Sequence, residues 1–403
     1  MSQDEDRLDF VGLEIGQEVA DAFRKLISER QWRLVCFKNC KGRVSDLVLD
    51  VLEHDSCQEL WLTAASEDLH EDVSSSLTSS MRCTREGMGK TQCLRSFRLS
   101  SVLDLGQASL LAEGLRDCSS LIELDLTGLQ VIDRHAAEMV AFGVQENSSL
   151  KSIHMADDSN RVAYLEESII RCLNRRSLPM SHVTITGPCS NSLFQALAEA
   201  TQSIKKLTLI PDGPQRPHRF NLLLRSPSRI DHLELSRNSI DDSIFASILE
   251  ELIGNETLRF LDLSFNKISE DGLLLLADAL PELKLKQLKL QENHYKGEGR
   301  TGIQFLEAVR NNTDIELLML DNIAVGCAEI AHIVRLNIGG RRILHDPKFK
   351  ISLLPAVIAR ASRMTFALME GPERLTAQAD AIFYLLRHGP INKEPQTEPN
   401  AAR

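Results

Sequence analysis

A chain of 403 residues with 43% hydrophobic and 26% charged residues has the composition of a folded globular protein. Its formal charge of −11 argues against phosphate-backbone binding, so nucleic acid is not an expected partner. The acidic, polar start MSQDEDRLDF is unlike a signal or transit peptide, and the longest aliphatic run, Leu273 to Leu276, is far too short to cross a bilayer. Nine scattered cysteines, an odd number, suit reduced thiols. The expectation is a cytosolic or nuclear protein with no membrane span.

In chain order, residues 1–12 are expected to be disordered and 13–31 to form an N-terminal capping helix. In that helix Val19, Phe23, Leu26, Ile27 and Arg30 recur at helical spacing. Short apolar phrases then alternate with helical ones. The first candidates are Trp32, Val35, Phe37 with Cys40, and Cys57, Leu60, Leu62 with Ala65. A longer insert, Ser66 to Thr91, reads as flexible and polar. Leu94, Phe97, Leu99, Val102 follow, then Leu121, Leu124, Leu126, Leu129, then Leu150, Ile153, Met155, Asp158. Met180, Val183, Ile185, Pro188 is the weakest copy, and Ile204, Leu207, Leu209, Asp212 restores the pattern. A stretch with four prolines, Pro211 to Pro227, is expected to be non-helical or briefly helical. The clean copies start at Ile230, Leu258, Leu285 and Ile315.

Leu258 to Tyr295 shows the unit best. Leu258, Leu261, Leu263 and Asn266 open one copy of L-x-x-L-x-L-x-x-N, and Leu285, Leu288, Leu290 and Asn293 open the next. Residues two apart share one face of a strand, so Leu261 and Leu263 should point inward and Asp262 outward. Asn266 stands at the turn, where its amide can pair stranded backbone groups. Ser269 caps a helix whose Leu273, Leu276, Ala277 and Leu280 form one apolar stripe. This signature resembles the leucine-rich repeat, and its period, with a full helix, resembles the ribonuclease-inhibitor-like type. The resemblance implies an α/β solenoid, a horseshoe with a parallel sheet on the concave face, helices on the convex face and helical caps at both ends. It covers about eleven repeats over 32–337, followed by a C-terminal helical cap, 338–390, and a disordered tail, 391–403.

A second column precedes the strands: Asn147 before Leu150, Asn255 before Leu258, Asn312 before Ile315, and Cys118 before Leu121. It reads as a set of helix-end caps. The sequons at Asn147, Asn255 and Asn311 are then by-products of the repeat.

Chemistry finds little footing. Glu86-Gly-Met-Gly-Lys90-Thr91 falls short of a phosphate loop, because Thr84 stands where glycine is required. Cys36, Cys40, His54 and Cys57 lack the spacing of a zinc site. Gly297 to Gly302 reads as a turn. No nucleophile, base and orienting acid converge, so the expectation is a non-enzymatic protein without cofactor or metal.

That leaves the concave surface. In its most regular part His232, Glu234, Arg237, Phe260, Asp262, Phe265, Lys289 and Glu292 should face outward from the strands or their ends. Nothing in the pattern requires an aromatic at 260 or 265, and aromatics set among charges suit a protein-binding hot spot. The expected function is a monomeric interaction scaffold holding a protein partner. The alternative, carried by resemblance in architecture alone, is regulation of an enzyme, such as activation of a small GTPase.

Overall fold

The computed structural model describes residues 6–63, 71–156, 164–211, 220–225, 227–321 and 326–338, with 355 and 359 besides. The expected cap, 338–390, and the tail, 391–403, lie almost wholly outside them. The chain divides into two compact units, residues 1–218 with 227–232, and residues 219–226 with 233–403.

In the first unit a parallel sheet runs through Arg7–Val11, Trp32–Lys38, Cys57–Thr63, Ser96–Leu103, Glu123–Asp125, Ser152–Ala156, Met180–Thr186 and Ile204–Ile210, each strand beside the next. The apolar columns meet in register: Val35 opposes Leu60, Leu60 opposes Phe97, Phe97 opposes Leu124, Leu124 opposes Ile153, and Val183 opposes Ile153 and Leu207. All are fully buried. A one-residue slip in any strand would turn its whole apolar set to water, which is why alternation fixes the register. Parallel neighbours require crossovers, supplied by the helices Gln17–Glu29, Val44–Glu53, Glu71–Met88, Leu105–Asp117, Arg134–Glu146, Tyr164–Leu173 and Asn191–Glu199.

Two differences from the sequence-based expectation stand out. Residues 7–11 are not disordered. Arg7–Val11 is a strand, and Phe10 packs on Phe37 and Phe23, with ring centroids 5.2 Å away in each case. The insert at 66–91 contains the helix Glu71–Met88, which occupies the helix place of its repeat. The phosphate-loop lookalike is therefore the end of a helix, where backbone carbonyls rather than amides are exposed. Its Gly87 lies so close to Leu52 that a Cβ there would stand 2.5 Å from the Leu52 Cβ. Gly143 does the same against the backbone of the helix Leu105–Asp117, 2.6 Å from the Ala112 Cα. Both glycines let neighbouring helices touch.

Asp55 ties the end of the insert down. Its carboxylate accepts hydrogen bonds from Thr91 Oγ1 at 2.6 Å, Gln92 N at 2.7 Å and Cys93 N at 3.1 Å. Burial alone would raise its pKa, but these three donors outweigh it and hold the carboxyl below the ordinary value. A depressed pKa gives stability that is present above the ordinary value near 4 and lost as pH falls through the folded value. Asp55→Asn should therefore flatten the fall in melting temperature on acidification below about pH 4. Parallel curves for the two proteins would refute this role.

In the second unit, strands His232–Glu234, Phe260–Asp262, Gln287–Lys289 and Leu317–Met319 lie side by side, with His232 itself assigned to the first unit. Leu261 opposes Leu288, and Leu288 opposes Leu318. The proline-bearing stretch supplies one short 3-10 turn, Phe220–Leu223, among its described residues. Helices Asp242–Leu252, Glu270–Ala279, Gly299–Asn311 and Cys327–Ile338 follow their strands. Asp241 and Ser269 cap the first two, accepting from Ile244 N and Asp271 N.

Asparagines hold the turns. Asn266 Nδ2 donates to the carbonyls of Leu235 and Leu263, while its Oδ1 accepts from Ile240 N. Asn293 repeats this one layer on, donating to Leu263 and Leu290 and accepting from Ile268 N. The pre-strand column works the same way at the other strand end. Asn312 Nδ2 donates to Leu280 O and Leu283 O, and its Oδ1 accepts from Asp314 N and Ile315 N. Asn337 is the next member. It lies in the helix Cys327–Ile338 and donates to Asn312 O and Ile315 O.

Candidate functional site

The residue just before each turn asparagine decides what the second unit presents. Arg237, Phe265 and Glu292 precede Asn238, Asn266 and Asn293, and their φ values are +65°, +56° and +56°. This left-handed conformation lets the asparagine amide reach back to the strand, and it throws the preceding side chain out at the strand end. In the first unit four of the matching places, Gly12, Asn39, Gly128 and Gly187, have positive φ and hold residue types suited to it, whereas Ser101 and Pro211 are not in that conformation. A phenylalanine there costs about 1–2 kcal/mol.

Phe265 is 45% exposed, and the Arg237 guanidinium carbon lies 4.0 Å from its ring centroid. A cation over an aromatic face gains about 0.5–1 kcal/mol at an exposed site. The result is an aromatic ledge with a charged rim. Glu292, on the next turn, is also exposed.

Phe260 differs from expectation. In place of an exposed ring beside Phe265, it is buried, at 9%. The Lys289 ammonium lies 5.1 Å from its ring centroid and 3.3 Å from Asp262 Oδ2. Asp262 also accepts from Ser264 N, so Phe260, Lys289 and Asp262 form a cluster that satisfies itself. Strand alternation places Phe260 on the outer face, but it cannot show that a lysine on the next strand will reach over it. Glu234 and His232 are half-buried, and His232 belongs to the first unit. Of the eight outward residues expected, the structure thus brings Arg237 and Phe265 together as one surface and Phe260, Asp262 and Lys289 as another.

The first unit carries its own polar row on the outer strand face. Trp61 lies between Arg7 and Arg98, 5.6 and 5.1 Å from their guanidinium carbons. Arg98 pairs with Asp125 at 3.4 Å, and His154 Nε2 meets Glu123 at 3.1 Å. His182 Nε2 shares hydrogen bonds with Thr208 Oγ1 at 3.0 Å and Thr184 Oγ1 at 3.1 Å. The sequence does not announce Arg7, because its acidic, polar segment reads as a disordered tail. Cys57, one of the zinc candidates, is buried, and burial first, then nearby acidic groups, pushes its thiol up to about 12. Such a thiol packs as a core side chain.

The Leucine Rich repeat family matches residues 254–277, which span the strand Phe260–Asp262, the asparagine turn at 266 and most of the helix Glu270–Ala279. The match supports a leucine-rich repeat protein. Both units have the corresponding α/β architecture, a parallel leucine-lined sheet with helical crossovers. No curated protein sequence matches the chain. Similar solved structures include leiomodin-1 actin-binding site 2, at 16% identity over 55% of this chain and 99% of that one, with a TM-score of 0.29. An internalin from Listeria monocytogenes str. 4b F2365 is 13% identical over 78% and 86%, with a TM-score of 0.33. A TLR13–ssRNA13 complex is 16% identical over 75% and 39%, with a TM-score of 0.39. Among the described residues no helix is long and apolar enough to cross a membrane.

Proposed function

We propose that this leucine-rich repeat protein is a non-enzymatic scaffold of the ribonuclease-inhibitor-like type that holds a protein partner on its outer strand face. The observation that carries the reading is Phe265. It is a large aromatic, exposed, set in a backbone conformation that disfavours it, and stacked with an arginine. Strained, solvent-facing positions of this kind collect at recognition sites. Phe265 would supply the apolar anchor, and Arg237 and Glu292 the charged rim that orients the partner. Lys289 and Asp262 are engaged with Phe260 and with each other, and so contribute support rather than contact. Free cysteines among the described residues, Cys36, Cys57, Cys118 and Cys172 for example, suit a reducing compartment, the cytosol or nucleus.

Crosslinking mass spectrometry on endogenous complexes names the partner and the face together. With the partner in hand, Phe265→Ala should weaken capture by about 2 kcal/mol or more, roughly thirtyfold, at unchanged melting temperature. Phe260→Ala should instead lower the melting temperature and leave affinity nearly intact. Full capture by Phe265→Ala would end this assignment.

A further inference from the structure

Arg7–Val11 is the terminal strand of the first unit's sheet among the described residues. Its backbone directions are fixed by its single neighbour. Asp6 O accepts from Arg33 N and Leu34 N, and Gly12 N donates to Lys38 O. Even-numbered residues therefore turn their backbone groups toward Trp32–Lys38, and Arg7, Asp9 and Val11 turn theirs outward. An edge of this kind is a template for a further strand unless it is blunted. RLDFV has no proline, no bulge and no lysine, and its two charges, Arg7 and Asp9, are of opposite sign.

The flank beside this edge is apolar. In the helix Gln17–Glu29, Ala20, Phe23 and Ile27 face the core, and Arg24 reaches Asp50 of the next helix at 2.7 Å. Val19 and Leu26 share the stripe on the opposite side from Arg24, facing away from the rest of the unit, and are 39% and 42% exposed. Val11 and Leu13, at the end of the edge strand, are exposed as well, at 58% and 46%. Repeat arrays need such an end covered.

The charges on the edge select what covers it. Two copies of RLDFV brought together antiparallel across a two-fold can centre on any of the five residues, and centring on Phe10 or Val11 opposes no charge with another. Centring on Arg7 opposes arginine with arginine, and centring on Asp9 opposes aspartate with aspartate. Centring on Leu8 opposes Arg7 of each copy with Asp9 of the other. That register alone is self-complementary. It also turns the Arg7–Asp9 pair present within one chain into an alternating cluster of four charges. In place of the monomer expected from the sequence, we propose that the protein dimerises through this edge, joining two sheets at Leu8 with the Val19 and Leu26 flank beside the joint.

The test is sedimentation velocity on the full chain between about 1 and 100 µM, with Arg7→Glu, Asp9→Lys and their mixture. Wild type should pass from monomer to dimer. Each single reversal places like charges opposite each other twice and should weaken the dimer by about tenfold or more. Mixing the two variants restores both pairs, because the introduced glutamate then faces the introduced lysine and the unchanged Asp9 of one copy faces the unchanged Arg7 of the other. The mixture should recover a heterodimer. Arg7→Glu also loses the contact with Trp61, so Asp9→Lys with an unchanged melting temperature is the cleaner arm. Wild type that stays monomeric at 100 µM overturns the proposal, as does a dimer indifferent to both reversals or one that mixing fails to restore. An edge occupied by some other protein would appear as the first of these results.

Discussion

Leu261→Ala should destabilise the protein by about 2–5 kcal/mol in urea denaturation. Leu261 is fully buried and stands in register with Leu288, between the leucines of neighbouring repeats and the helix Glu270–Ala279. Truncation removes buried methyl groups and leaves a cavity that flanking strands cannot close. Each of those strands is pinned by its own asparagine turn and by the backbone bonds Leu235 N to Asp262 O and Leu263 N to Lys289 O. Leu275, 39% exposed on the following helix, provides the contrast: Leu275→Ala should change stability by about 0.5 kcal/mol or less. Equal losses at the two leucines would mean that the inward column has been assigned wrongly.

The second large effect belongs to a polar residue. Asn147 is 1% exposed, and its side chain makes five hydrogen bonds, one of them from Ser149 Oγ to Oδ1 at 3.2 Å. Its Nδ2 donates to Leu115 O at 2.6 Å and Cys118 O at 2.8 Å, and its Oδ1 accepts from Ser149 N at 3.0 Å and Leu150 N at 2.7 Å. It thus joins the end of one repeat's helix to the start of its own repeat's next strand. Asn147→Ala should cost about 2–4 kcal/mol, because buried carbonyls and amides are left without partners. Asn147→Asp should cost at least as much, since it replaces the donor to two carbonyls with a charge that repels them. Asn311, also the first residue of an Asn-x-Thr sequon, is exposed, and Asn311→Ala should be close to silent. If the two asparagines behave alike under thermal or chemical denaturation, the column is not a structural device.

The leucine columns and the asparagine turns are legible in the sequence because each follows from a short-range rule. Alternation with period two chooses the inward face, and an amide with donors and an acceptor suits a turn that strands both kinds of backbone group. Arg7–Val11 is hidden by its acidic flank and by the absence of a leucine three places before Leu8. The helix Glu71–Met88 is hidden by its serines, which favour loops in isolation and become helical here by packing on Val44–Glu53 and Leu105–Asp117. Asn337 is hidden by the Gly-Gly pair after it, which looks like a stop. The site is less legible than the fold. Side-chain direction follows from the repeat, but the burial of Phe260 depends on where Lys289 lays its ammonium, a contact between repeats. Nor does sequence announce that Phe265 has a positive φ, since phenylalanine is among the last residues that a turn rule would place there.

The left-handed column has a bearing on how this protein can be engineered. Position 265 is one where the backbone asks for glycine and the surface keeps phenylalanine. A search for thermostable variants that follows backbone preference would relax that turn and be rewarded with a sturdier fold. The same change would delete the ledge on which recognition is proposed to rest. Selection for robustness and selection for binding therefore pull this one residue in opposite directions, whereas at Gly128 and Gly187, where glycine already stands, they need not conflict.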